Sequence, residues 1–124
     1  MNIRIYYEDT DMGGIVYHSN YLKYCERARS ELFFSAGRSP MINGCHFAIK
    51  NIEADFVKPA FLGDMLSVQT KVLKIKNASL RLFHEIKRED DLIFRMSVNL
   101  VFLSQEGKIG RIPQETKEFF KLFK

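Results

Sequence analysis

From Tyr21 to about Ala36 the apolar residues Tyr21, Tyr24, Cys25, Ala28, Leu32 and Ala36 recur at spacings of three and four, while Lys23, Glu26, Arg27, Ser30 and Glu31 take the other positions. That period gathers one apolar stripe on one side and predicts an amphipathic helix. Ser19 or Asn20 can supply the N-cap oxygen, and Gly37 stands where a left-handed residue ends a helix. After residue 46 the period becomes two. Val68, Thr70 and Val72 alternate against Gln69 and Lys71, and Leu92, Phe94, Met96, Val98 and Leu100 against Arg95, Ser97 and Asn99, which predicts half-buried strands. Breaks at Pro59 to Asp64, at Asn77 and at Glu89 to Asp91 divide the run into strands over 47–58, 64–76, 79–88 and 92–103. Their short connections favour an antiparallel meander. Residues 2–8, aromatic-rich and β-prone, predict a first strand that exits into DTDMGG, and Pro113 opens a short closing helix over 113–122. One helix after the first strand, then four antiparallel strands, predicts an α+β single domain over 1–124. In it a five-stranded sheet curls around the long helix. The sheet edges of such a domain can be satisfied by pairing in a dimer.

Composition narrows this picture without changing it. A length of 124 residues and a hydrophobic fraction of 46% suit one domain with its own core. Cys25 and Cys45 have no metal-ligand spacing and are too few for a disulfide framework, so both read as reduced thiols. Three scattered histidines do not build a zinc site. The first residues turn acidic by position 8 and no apolar run approaches ~18 residues, so the expectation is a soluble cytoplasmic protein with no integral membrane segment. A formal charge of +4 favours an anionic partner such as nucleic acid, anionic lipid or a phosphorylated cofactor. The basic residues form no block and no nucleic-acid motif accompanies them, so no nucleic-acid partner is expected.

The candidate chemistry is concentrated in YYEDTDMGGIVYHSNYLKYCERARSELF, residues 6–33, where acidic residues and glycines crowd directly before the helix. The first N–H groups of a helix lack internal partners and lie at the positive end of its dipole, so they can hold a polarised carbonyl oxygen. Gly13 and Gly14 permit close backbone approach and positive φ. Asp11, just upstream, can act as the base that deprotonates a water or as a nucleophile forming a mixed anhydride. A thioester suits this set because its thiolate leaves without strong acid help. His18 can orient the water or the carboxylate, and Tyr7, on the strand before the loop, can add a phenolic hydrogen bond. Structural readings compete with each. Glu8 to Asp11 can be a solvated turn, His18 a helix-start contact, and Tyr7, Tyr17, Tyr21 and Tyr24 core aromatics. Glu26 and Arg29 can pair across one helical turn. Cys25 falls on the apolar face, which disfavours a Cys25–His18 nucleophilic pair.

At YYEDTD, GGIVYHSNYL and CERARSE, and more weakly through IEADFVKPAFLGD and the later strands, the sequence resembles the hot-dog thioesterases of the 4-hydroxybenzoyl-CoA thioesterase type. It is most similar to the YbgC-type acyl-CoA thioesterases associated with the Tol-Pal cluster. The resemblance implies a hot-dog domain that hydrolyses acyl-CoA to free acid and CoA without a cofactor. It places Asp11 as the catalytic carboxylate, His18 as the active-site histidine whose backbone N–H faces the thioester carbonyl, and Tyr7 as the neighbouring tyrosine. It also implies a homodimer, commonly paired into a tetramer, with the site at the subunit interface. Asn20, Glu26 and Arg29 would shape the site. Lys58, Lys74, Lys76, Arg81 and Arg88 are candidates for the CoA phosphates; Phe33, Phe34, Met41 and Phe47 can line an acyl tunnel, with the helix and sheet core an equally good home for them. Alternatives within reach of the same fold are an acyl-carrier-protein or aromatic acyl-CoA substrate, or a non-catalytic acyl-binding or scaffold role in phospholipid metabolism.

Overall fold

The computed structural model describes residues 1–124. In chain order its elements are β1 (Asn2–Arg4), α1 (Asn20–Phe34), β2 (His46–Phe56), β3 (Met65–Ile75), β4 (Ser79–Arg88), β5 (Asp91–Leu103) and α2 (Gln114–Lys121). The strands form one antiparallel sheet in the order β1-β3-β4-β5-β2. This is the α+β arrangement that the two periodicities predict, with strand bounds shifted by no more than two residues after β1, but only β3-β4-β5 form the expected meander: β2 crosses over to pair with β5, and β1 takes the place beside β3.

Each half of the core follows from its period. Tyr21, Tyr24, Cys25, Ala28 and Phe33 are the buried positions of α1, and along β4 Leu80, Leu82, His84 and Ile86 turn inward while Arg81, Phe83 and Glu85 turn outward. Burying an aliphatic or aromatic side chain of this kind contributes ~1.5–3 kcal/mol. α2 closes one end of the core, where Phe119 and Phe120 pack on the Phe33 ring at 5.1 and 5.4 Å between centroids. Helix α1 ends as its glycine predicts. Gly37 takes φ +70° and the Arg38 N–H returns to the Phe33 carbonyl at 2.9 Å.

The first strand departs from expectation. It stops at Arg4 instead of running to residue 8, and Tyr7–Asp9 form a single 3-10 turn. Two causes act together. The partner strand β3 begins at Met65, so pairing runs out at Arg4, and the Asp9 carboxylate captures the Tyr6 N–H at 2.8 Å, bending the chain out of line. The start of α1 also differs. Ser19 has helical backbone angles and caps no N–H with its side chain, and the Asn20 amide reaches back to the loop instead.

Candidate active site

Asp9 and Asp11, two residues apart, are held in different ways. Both Asp9 oxygens are used inside the chain: Oδ1 accepts from the Tyr24 hydroxyl at 2.7 Å and Oδ2 from the Tyr6 N–H at 2.8 Å. The Asp9 carbonyl also accepts from the Asn20 side-chain amide and the Tyr17 N–H, each at 2.9 Å. Burial, and then this bond to Asp9, raise the Tyr24 phenol above its usual range. The result is a knot tying the loop to the first turn of α1.

Beyond that knot the chain makes a narrow hairpin whose tip carries Asp11. Thr10 pairs with Val16, the Asp11 N–H donates to the Ile15 carbonyl at 2.9 Å, and Ile15 pairs with Phe61. The exposed Asp11 carboxylate accepts one hydrogen bond within the chain, from the Gly13 N–H to Oδ1 at 2.8 Å, which leaves Oδ2 free. A Cβ on Gly13 would lie 3.2 Å from that Oδ1, and Gly14 turns the chain at φ +79°. The two glycines therefore keep the carboxylate uncrowded and close the turn.

A few residues further along the chain comes the entrance to α1. The N–H groups of His18 and Ser19 donate to nothing within the chain, as helix entrances leave them. The exposed His18 ring is set by aromatic neighbours, Tyr17 at 4.5 Å and Phe56 edge-on at 6.3 Å. Phe56 continues into a wall with Phe94 at 5.1 Å, on which Tyr21 stacks at 5.1 Å. Tyr7 lies on the 3-10 turn, not on a strand, and is 82% exposed, with no hydrogen bond from its hydroxyl to Asp11 or His18. Of the four tyrosines read as core aromatics, Tyr21 and Tyr24 are buried and Tyr7 and Tyr17 are not.

Residues 6–120 match the thioesterase-like superfamily. The chain belongs to that superfamily. Among its relatives, an acyl-CoA thioesterase YbgC of Helicobacter pylori is 50% identical over 86 residues, 69% of this chain. That match spans 65% of the relative's own length. An acyl-CoA thioesterase YbgC of Haemophilus influenzae is 33% identical over 124 residues, covering 95% of this chain and 90% of that one. In structure, a probable thioesterase from Bartonella henselae superposes with a TM-score of 0.87 at 28% identity, covering 91% of this chain and 97% of the other. The sheet and helix of this thioesterase-like chain are thus the hot-dog fold that the motifs imply.

Within that thioesterase-like fold a second polar group lies under α1. Arg29 does not pair with Glu26, which stays exposed; its Nη1 donates to His84 Nε2 at 3.2 Å. Because arginine is donor-only, His84 Nε2 must be the bare nitrogen, and Nδ1 donates to Thr70 Oγ1 at 3.0 Å. Burial, reinforced by Arg29, pushes His84 down to about 3. Nothing local announces this group, since Thr70 and His84 come from β3 and β4. Beside it lies a cavity of about 410 Å³ lined by Arg29, Phe33, Met41, Phe47 and Leu82 among others. Phe34 is outside it and exposed. Cys25 is fully buried, and desolvation pushes its thiol up to about 12, opposite to what a nucleophile needs. No helix is long and apolar enough to cross a membrane.

Proposed function

We propose that this chain hydrolyses acyl-CoA thioesters to the free acid and CoA. The observation that carries the reading is Asp11 itself, an exposed carboxylate held by one hydrogen bond on a hairpin tip, a few residues before a helix entrance whose His18 N–H is unpartnered. Two relatives that bear the name acyl-CoA thioesterase add to it.

In this mechanism the thioester carbonyl oxygen sits on the His18 N–H, with the positive end of α1 behind it, so the negative charge of the tetrahedral intermediate is stabilised as it forms. The free Oδ2 of Asp11 either takes a proton from the attacking water or attacks the carbonyl carbon itself. In both cases the carbon–sulfur bond breaks and CoA leaves as its thiolate; in the second, water then hydrolyses the mixed anhydride. The His18 ring, packed between Tyr17 and Phe56, holds that backbone N–H in place. Tyr7 offers an unbonded phenol at the rim for contact with the bound thioester. The cavity beside Phe33, Met41 and Phe47 suits the acyl group. A dimer, paired into a tetramer, is part of the reading: β2 is an outermost strand, and its Ile49 and Phe56 side chains are exposed.

The test is steady-state hydrolysis of acyl-CoAs from short to long chain and of aromatic acyl-CoAs, with a thiol reagent reporting free CoA. Asp11→Asn should reduce kcat by several orders of magnitude without loss of fold. An Asn variant as fast as the wild type, or a wild type that cleaves no acyl-CoA, overturns the reading.

A further inference from the structure

Arg29 brings a permanent positive charge into the cavity of about 410 Å³ under α1, where Phe33, Met41, Phe47, Leu82 and Leu100 make most of the wall carbon. Of its nitrogens only Nη1 has a partner, His84 Nε2 at 3.2 Å, while Nε and Nη2 donate to nothing within the chain. Arg29 belongs to no ion pair. No buried side-chain nitrogen of the protein lacks a partner, so Nε and Nη2 are not sealed in carbon. They open onto the cavity that Arg29 lines.

The edge left free decides what can bind there. Nε–H and one Nη2–H leave the same side of the planar guanidinium in parallel, the geometry that the two oxygens of a carboxylate accept together. His84 holds the group by Nη1, and Thr70 holds His84 at 3.0 Å, so the free edge is set in place before any ligand arrives.

The charge is also short of compensation. Burial pulls the Arg29 guanidinium below its ordinary range. Glu26, one turn nearer the start of α1 and also in the cavity wall, is exposed and forms no ion pair with it. A plain alkyl chain reaching Arg29 would strip water from two N–H groups and offer them nothing, which is costly. A hydroxyl at that point would meet one of them, and a carboxylate both.

We propose that Arg29 binds a carboxylate at the far end of the acyl group, so that the preferred substrates are CoA thioesters of dicarboxylic acids. This rests on the acyl-CoA reading above and names its substrate class. The bonds broken and made are unchanged: water adds at the thioester carbonyl, the carbon–sulfur bond breaks, and the products are the dicarboxylic acid and CoA. Arg29 takes no part in that step. It is nine residues beyond Asn20, the first residue of α1, or ~14 Å of helix, and so holds a carboxylate remote from the reacting carbonyl.

The experiment measures kcat/KM for adipoyl-CoA against hexanoyl-CoA and for sebacoyl-CoA against decanoyl-CoA, pairs of equal length with and without the second carboxylate. Wild type should prefer the carboxylated member of at least one pair by about tenfold or more, the scale of a charge-assisted hydrogen bond. Arg29→Gln should lose that preference, and Arg29→Lys, with the charge but not the paired N–H groups, should keep part of it. Circular dichroism checks the fold. If Arg29→Gln does not fold, the exposed Glu26→Gln decides: with the neighbouring negative charge gone the preference should rise, and a preference that stays or falls overturns the proposal. A wild type that favours the plain chain in both pairs also overturns it, as does a preference that survives Arg29→Gln. So does faster cleavage of ω-hydroxydecanoyl-CoA than of sebacoyl-CoA, which assigns the free edge to a neutral hydroxyl. Calorimetric titration of octanoate and of 1-octanol reads the site without turnover: octanoate should bind more tightly, through Arg29, and equal binding overturns the proposal. If no acyl-CoA is cleaved at all, the thioesterase reading fails separately, and that titration alone decides the Arg29 site.

Discussion

The Tyr24 hydroxyl on α1 donates to Asp9 Oδ1 at 2.7 Å, and so fixes the loop that presents Asp11 two residues later. Removing the donor leaves a half-buried carboxylate oxygen without its partner, at a cost of ~1–3 kcal/mol. Tyr24→Phe should lower the urea midpoint accordingly. It should also reduce kcat about tenfold or more, because small misplacements of a reacting group are costly. Unaltered kcat in a destabilised variant would show that Asp11 is positioned by other means.

Gly13 offers a cleaner separation of activity from stability. Its missing side chain leaves room for Asp11 Oδ1, which an added Cβ would approach to 3.2 Å. Gly13→Ala, at a position without positive φ, should leave the thermal midpoint within a few degrees of wild type. It should cut kcat by up to ~10²-fold as the carboxylate is displaced. Gly14→Ala, forced into φ +79°, should instead cost ~1–2 kcal/mol of stability.

His84 predicts a pH dependence of folding. Its native value of about 3 lies below the ~6.5 of an unfolded histidine, so the unfolded chain binds an extra proton between those values. The stability tied to the neutral imidazole is therefore full above pH ~6.5. It is lost as pH falls towards 3, with a slope of at most ~1.4 kcal/mol per pH unit. His84→Gln can keep an acceptor for Arg29 and a donor for Thr70 without titrating. Urea midpoints measured from pH 7 to 4 should fall for wild type and flatten for this variant. Equal slopes would place the acid sensitivity elsewhere.

The two cysteines should behave differently towards an aromatic disulfide reagent. Cys25 is buried, with its thiol pushed up to about 12, while Cys45 is half-exposed. Native protein near pH 8 should titrate one thiol quickly, and urea should release the second. Fast modification of both in the native state would contradict the packing of α1. Cys45→Ser should remove the background in the CoA-release assay.

Elements that bury one face wrote themselves into the chain. The three-and-four spacing around Tyr24 and Ala28 and the alternation along β5 locate α1 and β5 because burial acts on every turn or every second residue. The loop that carries Asp11 is legible for a related reason, since its glycines and the helix after it lie within a few residues, whereas its pairing into a hairpin through Thr10 and Val16 is not. What escaped depends on distant partners. β1 ends early because β3 starts at Met65, and that places Tyr7 on a turn. Arg29 reaches His84, 55 residues away, whereas the visible candidate was Glu26, one turn behind it. A plain period of two also misplaces Lys74 and Asn51, because the register of β3 shifts between Val72 and Lys74 and that of β2 between Ile49 and Asn51.

The knot at Asp9 has a consequence for the order in which the protein is made. Its partners are Tyr6, Tyr17, Asn20 and Tyr24, and the longest loop it closes spans 15 residues. Closing so short a loop carries a small entropic cost, whereas joining His46 to Leu103 at the far end of β2 waits for nearly the whole chain. Every hydrogen-bonding group of the knot is synthesised before the first residue of β2 to β5.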